Sequence, residues 1–179
     1  MEIIPIFARK LFACWNSDSN TDEFTLQFRR WNDPEYLYDF FTTYKNDLSN
    51  SLWRGISIEK AVKKTIFDAV NLEAYFTDTA CNELDKKFRF LSNLQTAPEI
   101  LDKSKSYGID NPSWLRLYGL RIESNVYVIT GGAVKLTRTM NERCHTKKEL
   151  LKLEKARDYL LKEGVIDKEG MNDLMEFQM

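Results

Sequence analysis

The stretch from Ser113 to Gly132, SWLRLYGLRIESNVYVITGG, restricts the fold more than any other part of the chain. Large apolar residues fall on both alternations: Leu115 and Leu117 on one, Tyr118, Leu120 and Ile122 on the other. A strand of that kind is covered on both faces, unlike one that alternates cleanly between core and water. Ser124-Asn125 supplies a tight turn, because asparagine tolerates positive φ, and VYVIT resumes at once. The spacing therefore predicts an antiparallel hairpin. Gly131-Gly132 marks a bulge, a sharp bend or a close backbone approach, and AVKLT is expected to form a third strand after it.

The remaining segments read mostly as helix. EIIPIFARKLFACW (2–15) is rich in Ile, Phe and Trp and predicts an opening strand. Its acidic residue at position 2 and its internal proline make it a poor signal peptide. Thr21 or Asp22 is placed to cap a helix, and Pro34 divides the apolar series from Phe24 to Tyr44 into two helices. Those aromatics follow helical periodicity and are expected in the core, not in a base-stacking platform. Ser57 is expected to cap a long amphipathic helix, with Ile58, Ala61, Val62, Ile66, Ala69, Val70 and Leu72 near one face. CNELDKKFRFLSNL predicts a further short helix. Residues 98–112, punctuated by Pro98, Gly108 and Pro112, read as a connector.

After the third strand, Thr146 and Glu149 have the T-x-x-E spacing of a capping box. Leu150, Leu153, Ala156 or Arg157, and Leu160 form an inward face that Leu151 and Leu161 widen. Gly164 stands where a left-handed cap belongs, with Val165 as its hydrophobic contact. Asp167 is expected to cap a short terminal helix. The whole is one α+β domain, 1–179. A strand and mostly helical part (1–97) leads through the connector to a hairpin, strand and helix (113–163) and the terminal helix (164–179). An antiparallel twisted sheet, built from the N-terminal strand, the hairpin and the third strand, is expected to pack against several helices.

Composition excludes some classes. The hydrophobic fraction of 43% and aromatic fraction of 13% are ample for a core. No apolar run approaches membrane-spanning length, so no membrane partner is expected. Cys14, Cys81 and Cys144 are odd in number and widely spaced, which suggests reduced thiols in a cytoplasmic protein. The single histidine and the absence of Cys/His spacing leave no metal site or cofactor to predict. P-loop, GxGxxG, HExxH and G-x-S-x-G motifs are missing.

Net charge is −1, but it is unevenly distributed. Residues 115–163 hold eleven Lys/Arg against six Asp/Glu, a net of +5, whereas 1–114 and 164–179 each carry −3. Such a segment focuses a local field on an anion. Arg116 and Arg121 lie on the first hairpin strand, and Lys135, Thr137 and Thr139 alternate beyond the glycines. Arg138, Arg143, His145, Lys147 and Lys148 surround the helix entry. Guanidinium forks, ammonium groups and a helix N-terminus are the donors that phosphate needs. With RNA as ligand, cleavage without metal is possible: the 2′-hydroxyl attacks phosphorus while an acid and a base move protons and cations stabilise the added charge. His145 has the one side chain that titrates near neutrality unaided. Each residue also has an ordinary structural reading: His145 as a surface residue before a helix, Lys135 as an exposed lysine, Arg116 and Arg121 as members of ion pairs.

Leu115–Tyr118, Val126–Ile129, Lys135–Thr139 and Glu149–Ala156 together resemble the C-terminal part of the RelE/ParE/HigB toxin superfamily. The "LR-Y" strand, the "V-Y-(V/I/L)" strand, the "K-T-(K/R)-T" segment and a helix running through Lys-Ala occur in that order. GGAVKLTRT looks most like the HigB branch. The chain is also similar to a bacterial group of comparable length that opens with the IIPIFA strand. The resemblance implies a RelE-like core with a helical elaboration, and a toxin that cleaves ribosome-bound mRNA and is neutralised by a cognate antitoxin. It carries catalytic roles onto Arg116, Lys135, Arg138 and His145; Arg121, Arg143, Lys147 and Lys148 are expected, from their charge, as phosphate or RNA contacts. The chain departs from the pattern in its long segment before Trp114, in Met140 where the family has a helix-leading proline, and in its acidic end. Two other readings remain: a non-catalytic binding protein of the same fold, for RNA or a protein partner, and a helical interaction module without a nucleic-acid role.

Overall fold

The structure, a computed structural model, describes residues 1–78 and 83–178. The expectation for Cys81 falls outside them. The order is β1 (Ile3–Phe7), β2 (Leu11–Asn16), β3 (Thr21–Asp22), α1 (Glu23–Trp31), α2 (Pro34–Thr43), α3 (Lys45–Asn50) and α4 (Ile58–Asp78). Then follow α5 (Leu84–Lys87), β4 (Phe88–Phe90), β5 (Asp102–Tyr107), β6 (Leu115–Glu123), β7 (Val126–Val134), α6 (Cys144–Lys162) and α7 (Lys168–Gln178). The α+β class is as the sequence implies. The sheet order is β1-β2-β7-β6-β5-β4, with β3 paired to β2. Every pairing is antiparallel except β2 with β7, so the sheet is mixed.

Helices cover both faces. On one side Phe24, Phe28, Trp31, Leu37, Phe41, Leu72 and Phe76 pack on Leu11, Ala13, Leu115, Leu117 and Ile129. On the other, Leu153, Ala156, Leu160, Met171 and Leu174 pack on Phe12, Tyr118, Leu120, Val126 and Val128. This is why β6 and β7 read as apolar on both alternations. Asp22 caps α1 by accepting from Thr25 N at 2.8 Å. Asp33 caps α2 with Pro34 in its first turn, where the missing N–H is harmless. Val70 lies outside the buried face of α4, and Leu151 and Leu161 are likewise exposed on α6. No helix among the described residues is long and apolar enough to cross a membrane.

Five expectations are corrected. The opening segment is a hairpin and not one strand, because Ala8 and Arg9 both take positive φ (48° and 50°) and reverse the chain. Pro5 is accommodated because β1 is an edge strand. The region read as a connector contains β5, and the short helix expected over 81–94 is only α5, followed by β4. AVKLT adds no third strand. Val134 is opposite Leu115, the first residue of β6, and the ladder stops just beyond, at Lys135 N to Trp114 O. The capping box is Thr139–Glu142, on a short 3-10 turn. Thr146 instead lies inside α6, bonded to the carbonyls of Met140 and Arg143. T-x-x-E occurs twice between residues 139 and 149, and the first of these copies is the one used. At the other end, Gly164 (φ 76°) and the Val165 N bond to Leu160 O close α6 as expected.

The bulge falls at Thr130, between the Tyr118–Gly131 and Gly119–Ile129 pairs. The two glycines after it serve close approach. A Cβ on Gly131 would collide with Glu149 Oε2, and one on Gly132 would lie 2.8 Å from the Trp31 ring. Gly131→Ala is expected to destabilise the protein by about 1–3 kcal/mol through overpacking, read as a lower urea midpoint at unchanged m-value.

Candidate functional site

Strands β5 and β6 pair so that Lys105 faces Tyr118 and Tyr107 faces Arg116. The segment 135–140, freed from the sheet where the ladder ends, folds over the same end of these strands. The result is a cleft of about 340 Å³ lined by Lys105, Tyr107, Arg116, Tyr118, Lys135 and Arg138, with Leu91, Asn93, Thr139 and Met140 completing it. No carboxylate among the described residues lines it.

Three of the cations, Lys105, Arg116 and Lys135, are held by uncharged oxygens. Arg116 gives both Nη1 hydrogens to the Ser113 and Leu115 carbonyls, at 2.8 and 2.7 Å. Its guanidinium lies 3.8 Å from the centre of the Tyr107 ring. The Nε and Nη2 donors remain for a ligand. Lys105 donates to Leu91 O and Asn93 Oδ1, both at 2.8 Å. Lys135 donates to Thr137 O and Arg138 O, both at 2.7 Å. Each ammonium thus keeps one proton uncommitted. Burial lowers the pKa of Arg116. Burial first, then repulsion from Arg116 and Lys105, lowers that of Lys135. Like charges gathered with no salt-bridged carboxylate among the described residues mark a place where an anion is stabilised, with Glu142 and Asp68 acting on Lys135 and Arg116 only from farther off. The Tyr118 hydroxyl is buried and has no partner, an orphan donor on the cleft wall.

A second cavity, of about 730 Å³, shares Arg116, Lys135 and Arg138 and adds Arg54, Ser49, Asn50 and Ser51. The segment carrying Lys135 and Arg138 stands between the two, so its cations serve both.

The predicted cations divide sharply. Arg116, Lys135 and Arg138 are brought together. Arg121 is not with them: it forms a fork with Asp85, Nε and Nη2 each at 3.1 Å. Arg143 is paired with Asp47, its Nε at 2.6 Å. These two were assigned to RNA, but each already has a carboxylate. Lys147 and Lys148 are exposed on α6, away from the cleft lining. His145 is also elsewhere, its ring between Phe40 and Tyr44 and its Nε2 on Val134 O at 3.0 Å. Burial lowers its pKa. Lys105, Tyr107 and Tyr118 went unpredicted as site residues. The signal for the first two was the alternation of Lys103, Lys105 and Tyr107 within the supposed connector.

His145 lines a separate cavity with Glu149, whose carboxyl burial pushes up to about 7 despite Lys152 beside it. Its folded pKa exceeds the unfolded value, so between about pH 4.5 and about 7 the unfolded chain loses its proton first. Stability therefore falls as pH rises through that window and levels off above it. Glu149→Gln is expected to flatten this dependence and to stabilise the protein above pH 7 by on the order of 2 kcal/mol, measured by urea melts at pH 4.5 and 8. Cys14, by contrast, is buried with its thiol pushed up to about 12, which makes it unreactive.

Comparison of the chain with protein-family models, curated proteins and solved structures found no match.

Proposed function

We propose that the carboxylate-free cleft binds RNA phosphodiesters, and that the protein is the toxin component of a toxin–antitoxin pair, cleaving ribosome-bound mRNA without a metal in the cytoplasm. The observation that supports this most is the cluster of Lys105, Arg116, Lys135 and Arg138, the first three of them anchored by neutral oxygens. In this mechanism the 2′-hydroxyl gives its proton to solvent water or hydroxide, its oxygen attacks phosphorus, and the bond to the 5′-oxygen breaks. The free Nε–Nη2 edge of Arg116 takes two phosphoryl oxygens, and Lys105 and the Tyr118 O–H meet the developing charge. Lys135, with its lowered pKa, delivers the proton to the departing 5′-oxygen. A cognate antitoxin would neutralise the protein by covering this cleft.

One observation favours the second reading, RNA binding without cleavage. His145, the residue best suited to take the 2′ proton, is fixed between Phe40 and Tyr44 outside the cleft. Inducible expression of the wild type beside Lys135→Ala separates the two. Cleavage predicts growth arrest and new 5′ ends in ribosome-associated mRNA from the wild type alone. RNA retention without new ends supports binding only. Neither new ends nor RNA affinity at low salt removes both readings.

A further inference from the structure

The larger basic cavity, of about 730 Å³, lies across the segment 135–138 from the cleft and shares Arg116, Lys135 and Arg138 with it. Its other wall is the loop that follows α3, which adds Arg54, and no carboxylate among the described residues lines it. Arg54 and Arg138 are both exposed, and neither is in an ion pair among the described residues. Beside Arg54 the wall turns apolar: Leu52 is 86% exposed, and Trp53 and Leu136 are half-buried. The cavity therefore combines cations that reach back into the cleft, a further cation on the opposite wall, and solvent-accessible apolar surface.

The loop is held in place. Ser51 Oγ donates to Leu48 O at 2.8 Å and accepts from Trp53 N at 3.2 Å. Trp53 packs against Trp114, ring centres 4.8 Å apart, two residues before Arg116. Asp47 on α3 accepts from Arg143 Nε at 2.6 Å, beyond the basic segment. The wall that carries Leu52 and Arg54 is thus tied to the chain both before β6 and after residue 138. A wall already ordered loses less freedom on binding than one that must fold around its ligand.

Cations that run from one cavity into the next suit a polymer whose anions recur along its length. A single ion would use one side only. Phosphates alternating with flat apolar bases describe a nucleic-acid strand, its backbone tracked by cations and its bases laid on apolar side chains. An acidic peptide brings similar charge without the flat apolar groups, and would leave Leu52 and Trp53 uncovered.

We infer that the strand bound in the cleft continues over residues 135–138 into this cavity, where Arg54 takes the next phosphodiester and Leu52 and Trp53 take its base. This rests on the RNA reading of the cleft and extends it, because the shortest strand that engages both cavities has two consecutive phosphodiesters.

Oligomers of 2′-O-methyluridine lack the attacking hydroxyl and so isolate binding from cleavage. UpU, with one phosphodiester, and UpUpU, with two, compete against a labelled longer strand of the same kind on the full chain at low salt. The wild type is expected to bind UpUpU about tenfold more tightly than UpU. In Arg54→Ala, and separately in Leu52→Glu, which sets a carboxylate in the cavity, the gain is expected to fall below about twofold. Both substitutions are at exposed positions, and urea melts check that the variants fold. Two results overturn the inference and leave the RNA reading in place. One is no gain from the second phosphodiester in the wild type. The other is a gain kept in both variants while Arg116→Ala weakens both oligomers. Hexaglutamate displacing the label as well as UpUpU does also overturns it, in favour of an acidic peptide. Failure of the labelled strand to bind at all removes the RNA reading, and this inference with it.

Discussion

Arg116→Ala is expected to weaken single-stranded RNA binding roughly ten- to a hundredfold, and to lower any RNA cleavage by about 10²–10³. The size follows from what the side chain does. It offers two parallel donors at a fixed place in the cleft, since its Nη1 is tied to the Ser113 and Leu115 carbonyls and its other edge is uncommitted. It is also largely buried, stacked on Tyr107 with no salt-bridged carboxylate among the described residues. Arg116→Lys keeps the charge but not the fork, and should recover only part of the loss. Arg121→Ala is the matched control. That guanidinium is bound to Asp85, so its removal should reduce stability and leave RNA affinity unchanged within about twofold on the principle that neutralised pairs contribute little field. Filter binding and urea melts on the three variants, side by side, separate the two effects.

Asp85→Ala is expected to have the largest effect on stability, about 3 kcal/mol, at the lower end for breaking an ion pair because the group is partly exposed. Asp85 in α5 accepts from Arg121 twice, from the Ser124 hydroxyl, the Asn125 backbone N–H and the Tyr127 hydroxyl. It therefore fastens the tip of the β6–β7 hairpin to the segment before β4. Burial alone would raise its pKa, but the hydrogen bonds from Arg121, Tyr127, Asn125 and Ser124 outweigh it and hold the carboxyl well below the usual range. A depressed folded pKa gives stability that is fully present above the unfolded value, near 3.9, and is lost as pH falls through the folded one. The wild type should therefore lose this increment below about pH 4, and Asp85→Ala should show a flatter acid limb in equilibrium melts.

The sequence was most legible where apolar pattern and turn chemistry agreed. The β6–β7 hairpin, the split at Pro34, the Asp22 cap and the Gly164 terminus all follow from side chains within a few positions of the feature they specify. Strand β5 was hidden because its inward residues are Asp102, Ser104 and Ser106, so its alternation is polar and carries no hydrophobic period. The turn at Ala8-Arg9 was hidden because neither residue favours positive φ. For the site, charge counting brought Arg116, Lys135 and Arg138 into view. It could not separate them from Arg121 and Arg143, whose partners Asp85 and Asp47 lie 36 and 96 residues away in the chain. Whether a cation is free for a ligand is a tertiary property. Lys105 shows the same limit in reverse, since only the strand pairing with Tyr118 and the carbonyl of Leu91 aim it at the cleft.

The central claim is that uncompensated cations of one cleft hold RNA phosphates, and salt dependence tests it most directly. Affinity for a single-stranded RNA, measured across a series of salt concentrations, should give a slope of about −0.7 per neutralised phosphate in log Kobs against log salt. Contacts from Lys105, Arg116, Lys135 and Arg138 predict a wild-type slope of about −2 to −3, shallower by about 0.7 in Lys135→Ala. A slope unchanged by Lys135→Ala and by Arg116→Ala, or no RNA binding at low salt, would contradict it.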